Sequence, residues 1–346
     1  MYSTILVPLD GSSLGERALP VAVALARRSR ACVELIHVRG PGAASANAPM
    51  YDTRLDEELE QEIRDRISAL TGSLVRDEAV MATAVFVRGD VVRTLDEHAA
   101  ARGVDLIVMT SHGRGGFNRA WLGSVADELM RRATVPLLIV RPDTDAPPEV
   151  REPIFRRMLV PLDGSRRAED VLAHAAALGI PGGTEYLLLN VVTPRVTVDP
   201  FPGLVTMLGR EDLTRRVEEE RARADDYLAR VADSFREIGA SVSTCTLVDE
   251  RPAPAILAFA RERAVDLIVL STRVRTATER VLVGSVADKV ARGATVPILI
   301  TGPHAVPGPL VPVRKTSARV SSERDRQSTE RAARGGSFTL LPGVPL

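Results

Sequence analysis

Residues 104–140 read VDLIVMTSHGRGGFNRAWLGSVADELMRRATVPLLIV, and residues 265–300 repeat the pattern as VDLIVLSTRVRTATERVLVGSVADKVARGATVPILI. A second matching pair opens each half of the chain, where ILVPLDGS at 5–12 returns as MLVPLDGS at 158–165. Similarity of this kind within one chain is typical of a duplicated structural unit. The sequence therefore predicts two related domains in tandem, and the differences between the two copies become clues to function.

Length, charge and hydropathy limit the class of protein. The 346 residues suit two domains of about 150 residues each, with a linker and a tail. Lys plus Arg equals Asp plus Glu, 45 against 45, so no bulk charge attracts nucleic acid or an anionic membrane. The start MYSTILVPLD lacks the pattern of a signal peptide, and no apolar run reaches the roughly 20 residues of a membrane span. We expect a cytoplasmic protein without a nucleic-acid or membrane partner.

Short apolar runs alternate with amphipathic segments through both halves. Each half offers five strand candidates, and the first and last of these are Thr4–Leu9 and Pro136–Val140, then Met158–Leu162 and Pro297–Thr301. Continuous apolar strands of this length are typical of parallel sheets covered by helices on both faces. The sequence predicts an α/β fold with two tandem, doubly wound, open parallel sheets of five strands each, Rossmann-like in type.

Two apolar stripes at helical spacing stand out between the first strands. The residues from Leu14 to Leu25 predict one helix that begins at a Ser12 or Ser13 cap. A second stripe, set among charged residues, predicts a longer helix with the inward positions Leu55, Leu59, Ile63, Ile67 and Leu70.

Composition changes mark the domain boundaries. The stretch RPDTDAPPEVREPIFRR at 141–157 is rich in proline and charge, which is typical of a linker. We place the first domain at 1–142, the linker at 143–155 and the second domain at 156–302. Residues 303–346 are rich in Pro, Gly, Ser and Arg and have little apolar periodicity, so we predict a disordered tail.

Two polar turns follow buried strands of the first half, and they suggest a ligand site. Asp10 comes after the first strand, where a carboxylate can accept hydrogen bonds from a ribose hydroxyl or a base amine. Its alternative role is to cap the turn into the first helix. Gly113 lies in the turn after the fourth strand, and Gly123 with Ser124 opens a helix whose amides suit a phosphate.

These residues resemble the universal stress protein family. Its nucleotide-binding members carry a glycine, two residues, a glycine, nine residues, then a glycine and a serine or threonine. Gly113, Gly123 and Ser124 match that spacing, whereas Thr110 stands in place of the first glycine. The resemblance covers about 1–142 and 156–302 of the chain.

The resemblance implies five parallel strands per domain and an ATP pocket between the loops after strands one and four. Asp10 and the backbone of Val38 would hold the adenosine, with Leu9 and Met109 as lining. Thr110 through its backbone, and Gly113, Gly123, Ser124 and Val125, would hold the phosphates. The family also pairs domains through their last strands, which implies an intrachain pseudo-dimer here and leaves a homodimer open.

The second copy keeps only part of this set. Val274 replaces Gly113, and a β-branched residue takes a positive φ only at a cost. The second half retains Asp163, Val191, Gly284 and Ser285, so it keeps an adenosine half-site next to a changed phosphate turn. The sequence predicts a strong site in the first domain and a weak or empty one in the second.

Histidine and cysteine give neither a catalytic nor a metal signature. No second acid or base recurs near His112, so we assign it a packing or phosphate-positioning role. His37, His98 and His174 stand alone without ligand spacing, and Cys32 and Cys245 fall at non-equivalent places in the two halves. We predict no catalytic residue, no metal site and no disulfide.

Three classes of function remain open. The favoured one is a regulatory protein of the stress response that binds ATP, with AMP or ADP as alternatives and Mg²⁺ accompanying the phosphates. The second is a slow ATPase or a phosphotransfer enzyme built on Asp10, although Ser12 stands where a phospho-aspartate hydrolase needs a second aspartate. The third is a scaffold that no longer binds nucleotide, which would fit Thr110 and the altered second copy.

Overall fold

The computed structural model describes residues 2–40, 53–111, 122–141, 155–180, 182–194, 210–272 and 284–302. In these residues strands and helices alternate along both halves of the chain. The strands are β1 Thr4–Pro8, β2 Cys32–Arg39, β3 Ala82–Arg88, β4 Leu106–Thr110, β5 Leu137–Val140, β6 Arg157–Pro161, β7 Glu185–Val192, β8 Ser241–Val248, β9 Leu267–Ser271 and β10 Ile298–Thr301. The helices are α1 Ser13–Glu16, α2 Leu19–Ser29, α3 Thr53–Arg76, α4 Val91–Arg102, α5 Ser124–Arg132, α6 Arg166–Glu169, α7 Leu172–Leu178, α8 Arg210–Glu237, α9 Pro252–Glu262 and α10 Ser285–Gly293.

All ten strands belong to one sheet, in the order β3-β2-β1-β4-β5-β10-β9-β6-β7-β8. Each half contributes five parallel strands in the same internal order, which confirms the predicted α/β class. The two halves join where β5 and β10 pair antiparallel, with Leu138 opposite Leu299. The two five-stranded sheets are therefore continuous, and the pairing of the last strands expected from the family resemblance is observed.

The position of each strand in the sheet accounts for its composition. Every residue of the central strand β4 is buried, because helices cover both faces of the sheet at its centre. The edge strands β3 and β8 are mostly half-exposed or exposed. Apolar runs therefore mark the central strands most strongly.

The first helical segment is interrupted, whereas the sequence predicted one continuous helix. It divides into α1 and α2 around Arg17 and Ala18, and Pro20 lies in the first turn of α2. Proline suits that turn because its missing N–H has no partner there in any helix. Ser12 caps α1 as one of the two expected candidates, with its Oγ accepting from the Gly15 amide at 3.1 Å.

One hydrophobic cluster draws on both halves of the chain. It contains Leu6, Ile107 and Leu129 from the first half, together with equivalents from the second, Leu159, Ile268 and Val290. The two domains therefore share buried apolar surface on one side of the sheet.

None of the helices in the described residues is both long and apolar enough to cross a membrane. The predicted tail at 303–346 lies outside the described residues, as does the predicted linker apart from residue 155.

Candidate functional site

The candidate site lies where the strand order changes direction in the first half. β1 has β2 on one side and β4 on the other, so successive connections leave towards opposite faces of the sheet. Ligands of open parallel sheets bind in the crevice outside the carboxyl ends of such strands. Asp10 follows β1 and Ser111 follows β4, so the fold brings the two predicted loops to neighbouring strand ends.

Asp10 is held in a tight turn at the end of β1. Its Oδ1 accepts hydrogen bonds from the Ser12 amide at 2.9 Å and the Ser12 hydroxyl at 2.6 Å. Gly11 has a φ of 81°, a conformation that glycine adopts without strain. The capping role considered for Asp10 is thus observed, and it fixes the carboxylate beside the crevice.

The N-terminus of α5 faces the same end of the sheet. Gly123 precedes this helix and donates its amide to the Ser111 carbonyl at 2.7 Å, so the helix start is tied to the end of β4. Gly123 occupies the N-cap position and has no side chain to cap the first turn of α5. The following amides, including those of Ser124 and Val125, lie at the positive end of the helix dipole and suit an anion.

The predicted lining residues divide between the two faces of the sheet. Met109 is buried in the shared cluster, and Val38 and Val125 pack against that cluster from its edge. Leu9 is buried as well, but the alternation of the strand turns its side chain to the opposite face. Thr110 is 5% exposed and pairs in the sheet with Val140. Gly113 and His112 lie outside the described residues.

The structure gives His37 and His98 partners that the sequence did not reveal. His37 Nδ1 is 2.8 Å from the Leu9 carbonyl oxygen, and its Nε2 is 3.6 Å from Glu60 Oε2. His98 Nε2 is 3.2 Å from Oε2 of the buried Glu34. Sequence spacing contains no signal for the His37–Glu60 and His98–Glu34 contacts, since each depends on how a helix is turned against the sheet. The described residues contain no group of three or more potential metal ligands.

The family assignment comes from matches along most of the chain. The family model described as "Universal stress protein family" matches residues 1–141 and again residues 154–302. The chain belongs to the universal stress protein family. It is similar to a universal stress protein of Mycolicibacterium smegmatis, with 26% identity over 87% of this chain and 97% of the relative. A universal stress protein of Methanocaldococcus jannaschii is 31% identical over 43% of this chain and 83% of its own length.

Solved structures of universal stress proteins support the fold. The crystal structure of one from Archaeoglobus fulgidus covers 86% of this chain and 98% of its own, with a TM-score of 0.60 and 19% identity. At this identity the likeness concerns the fold alone.

The second domain of this universal stress protein repeats the framework with different side chains. Asp163 Oδ1 accepts from the Ser165 amide at 3.0 Å, and this carboxylate is exposed where Asp10 is half-buried. Gly284 precedes α10, which begins at Ser285, and Val191 packs at the edge of the shared cluster. The loop that carries Arg273 and Val274 lies outside the described residues. The backbone framework is thus common to both halves. The observed difference is that the carboxylate is half-buried at Asp10 and exposed at Asp163.

Proposed function

We propose that this chain is a regulatory protein that binds an adenine nucleotide, ATP in the first place, in its N-terminal domain. The arrangement of Asp10 beside the helix start at Gly123 carries the proposal. A fixed acceptor for a ribose or base and a row of donors for phosphate lie at neighbouring strand ends. Both are at the crevice where open parallel sheets bind ligands.

The residue roles in this proposal follow the family resemblance. The adenosine is held by Asp10 and the backbone of Val38, against Met109 and the backbone of Leu9, whose side chain faces the other side of the sheet. The phosphates are held by Ser124 and Val125, close to Gly123, with Thr110 and Gly113 from the preceding turn and Mg²⁺ accompanying them. The Gly123 amide already serves Ser111, so this glycine contributes close approach rather than a donor.

The two domains should differ in affinity. Asp163 is exposed, and Val274 replaces Gly113 in the phosphate turn. We propose that the second domain, with Asp163, Val191, Gly284 and Ser285, binds nucleotide weakly or not at all.

Calorimetric titration with ATP tests this with a matched pair of variants. Gly123 and Gly284 have φ values of −59° and −55°, so valine is compatible with the backbone conformation at both positions. We expect Gly123→Val to weaken ATP binding at least tenfold, because a branched side chain blocks the approach of phosphate. Gly284→Val should stay within about twofold of the unmodified protein. Equal loss in both variants would contradict the assignment of the stronger site.

A regulatory role requires that the nucleotide favour one state of the protein over another. A ligand that binds the native state also raises its melting temperature, so ATP at many times its Kd should give a clear shift. A melting temperature that ignores ATP would instead favour the scaffold. Phosphate release above about one per second would favour the enzyme, because ordinary catalytic rates begin there.

A further inference from the structure

We propose that His37 is a proton-dependent positioning residue for the Leu9–Asp10 end of the first nucleotide site. Its protonation strengthens nucleotide binding there, so the affinity of the first domain falls as the pH rises. This inference rests on the proposed function and concerns the regulation of the same site.

The first step is the position of His37 between two elements. The residue is 7% exposed and lies on β2, beside the end of β1. Its Nδ1 is 2.8 Å from the carbonyl oxygen of Leu9, the residue before Asp10. Its Nε2 is 3.6 Å from Oε2 of Glu60 on α3. The imidazole therefore connects the strand end that presents Asp10 to the longest helix of the first domain.

The second step is the chemistry of the two partners. The Leu9 carbonyl is within hydrogen-bond distance of Nδ1, whereas the Glu60 carboxylate, at 3.6 Å from Nε2, is an ion-pair partner of the protonated ring. Both oxygens are acceptors, so an N–H facing them is favourable and a lone pair is not. The imidazolium has an N–H on both ring nitrogens, whereas neutral imidazole has one and turns a lone pair towards the other acceptor. Loss of the proton therefore weakens one of the two contacts, whichever tautomer forms.

The third step concerns the charges around the imidazole. Glu60 is also paired with Arg64 at 3.2 Å and lies 3.9 Å from Arg39 Nε. The Arg64 guanidinium in turn stacks over the Phe86 ring at 4.6 Å, and Phe86 is the register partner of His37 on β3. The charged groups linked to His37 by these contacts are Glu60 and Arg64 on α3 and Arg39 on β2. On the neighbouring strands, Arg88 ends β3 as the register partner of Arg39, and Asp10 follows Leu9 after β1. Arg39 and Arg64 hold Glu60 in place whether or not His37 is protonated. Loss of the His37 proton therefore weakens the contacts of His37 and does not displace Glu60.

The second domain supplies a natural comparison. Asn190 occupies the position of His37 and donates its Nδ2–H to the Leu162 carbonyl at 2.8 Å. The side-chain amide of Asn190 thus holds the end of β6 as His37 holds the end of β1, and an amide does not titrate. The same turn is thus held by a titratable group in the first domain and by a neutral one in the second.

The test is a comparison of ATP affinity at about pH 5.5 and about pH 8, which bracket the ordinary titration of histidine. The ratio compared is the affinity at about pH 5.5 divided by the affinity at about pH 8. We expect this ratio to be at least about fivefold larger for the unmodified protein than for His37→Asn. Protonation of the ATP phosphates is common to all variants and cancels in this comparison. Glu60→Gln removes the partner rather than the histidine and should lower the ratio too. His98→Asn, at a histidine on the other face of the sheet, should leave the ratio unchanged.

Each outcome decides the inference. Equal ratios for the unmodified protein, His37→Asn and Glu60→Gln would overturn it while leaving nucleotide binding intact. Absence of ATP binding at both pH values would remove the proposed function itself. In that case amide hydrogen exchange at Asp10–Ser12, corrected for intrinsic rates, decides the positioning role. The unmodified protein should be more protected than His37→Asn at about pH 5.5 but not at about pH 8. Identical protection would overturn the inference.

Discussion

At the scale of single residues, the clearest contrast between the halves is a polar pair, the buried Glu34 and the partly exposed His98, whose positions are apolar in the second copy. Glu34 is 3% exposed, with His98 Nε2 at 3.2 Å and Arg102 Nε at 3.8 Å. The equivalent positions in the second half are Leu187 and Phe259, both buried in the shared cluster. The same place in the fold therefore accepts either a polar pair or two hydrophobic side chains.

This contrast leads to a prediction for stability. His98→Ala leaves the Glu34 carboxylate buried without its nearest partner, so unfolding should become easier by on the order of 3 kcal/mol. The double variant Glu34→Leu with His98→Phe copies the second half and should lie within about 1 kcal/mol of the unmodified protein, or above it. Urea denaturation at neutral pH measures both. If the double variant is as unstable as His98→Ala, the two positions are not exchangeable in this way.

At the scale of elements, Asp96 ties helix α4 to the turn between α5 and β5 in the first domain. Its Oδ1 accepts from the Thr134 amide at 3.0 Å and from the Thr134 hydroxyl at 3.1 Å. In the second domain Leu257 and Thr295 occupy these positions, so the carboxylate acceptor is missing. A cavity of about 230 Å³ lies there, with Leu257, Gly293 and Thr295 among its lining residues.

The Asp96 contact should contribute measurably to the stability of the first domain. Asp96→Leu leaves the amide and the hydroxyl of Thr134 without their acceptor, and we expect a loss of about 1 kcal/mol or more. Asp96→Asn keeps a side chain of the same length with an acceptor oxygen, and it should retain most of that stability. Thermal or urea denaturation of the two variants provides the measurement. A variant Asp96→Leu as stable as the unmodified protein would show that the contact does not contribute.

The elements also show what sequence patterns can and cannot predict. The first and last predicted strands of each half agree with the observed ones to within one residue at each end, because buried parallel strands appear as apolar runs. The orientation of α3 was harder to predict. Leu59 was expected in its buried stripe but is 43% exposed, whereas the neighbouring Glu60 side chain turns inward and is 11% exposed.

In the candidate site, too, some residues could be located from the sequence and some contacts could not. The repeated motifs located Asp10 and Gly123, since both are tied to strand ends that the apolar pattern marks. The contact between His37 and Glu60 depends on the rotation of α3 about its axis. A side chain that pairs with a buried histidine can override the apolar stripe, and no spacing rule encodes that pairing.

At the scale of the whole molecule, the two domains meet with approximate two-fold symmetry in their strand register. Leu138 faces Leu299, its own counterpart in the repeat, while Ile139 faces Ile298 and Leu137 faces Ile300. The side chains outside the sheet break this symmetry. Arg292 reaches Asp127 of the other half at 2.5 Å.

Arg141 breaks the symmetry as well. It donates to the Ala291 carbonyl of the other half, and burial lowers the pKa of its guanidinium. The counterpart of Arg141 in the second half is Gly302. The junction is therefore built from one shared sheet and two unequal sets of side-chain contacts.

Gly302 offers a test of whether this junction makes the two domains unfold together. A Cβ at this position would lie 2.5 Å from the Ala133 carbonyl oxygen, a backbone atom of the first half that cannot simply turn aside. We expect Gly302→Ala to cost about 1 to 3 kcal/mol, since the strands must shift to relieve the overlap. Gly40→Ala is the matched control, because nothing lies within 4 Å of a Cβ built there. Because both halves contribute to one core, calorimetry should show a single transition that moves to lower temperature in Gly302→Ala and stays in place in the control. Two transitions, of which only one moves, would mean that the domains unfold independently despite their common sheet.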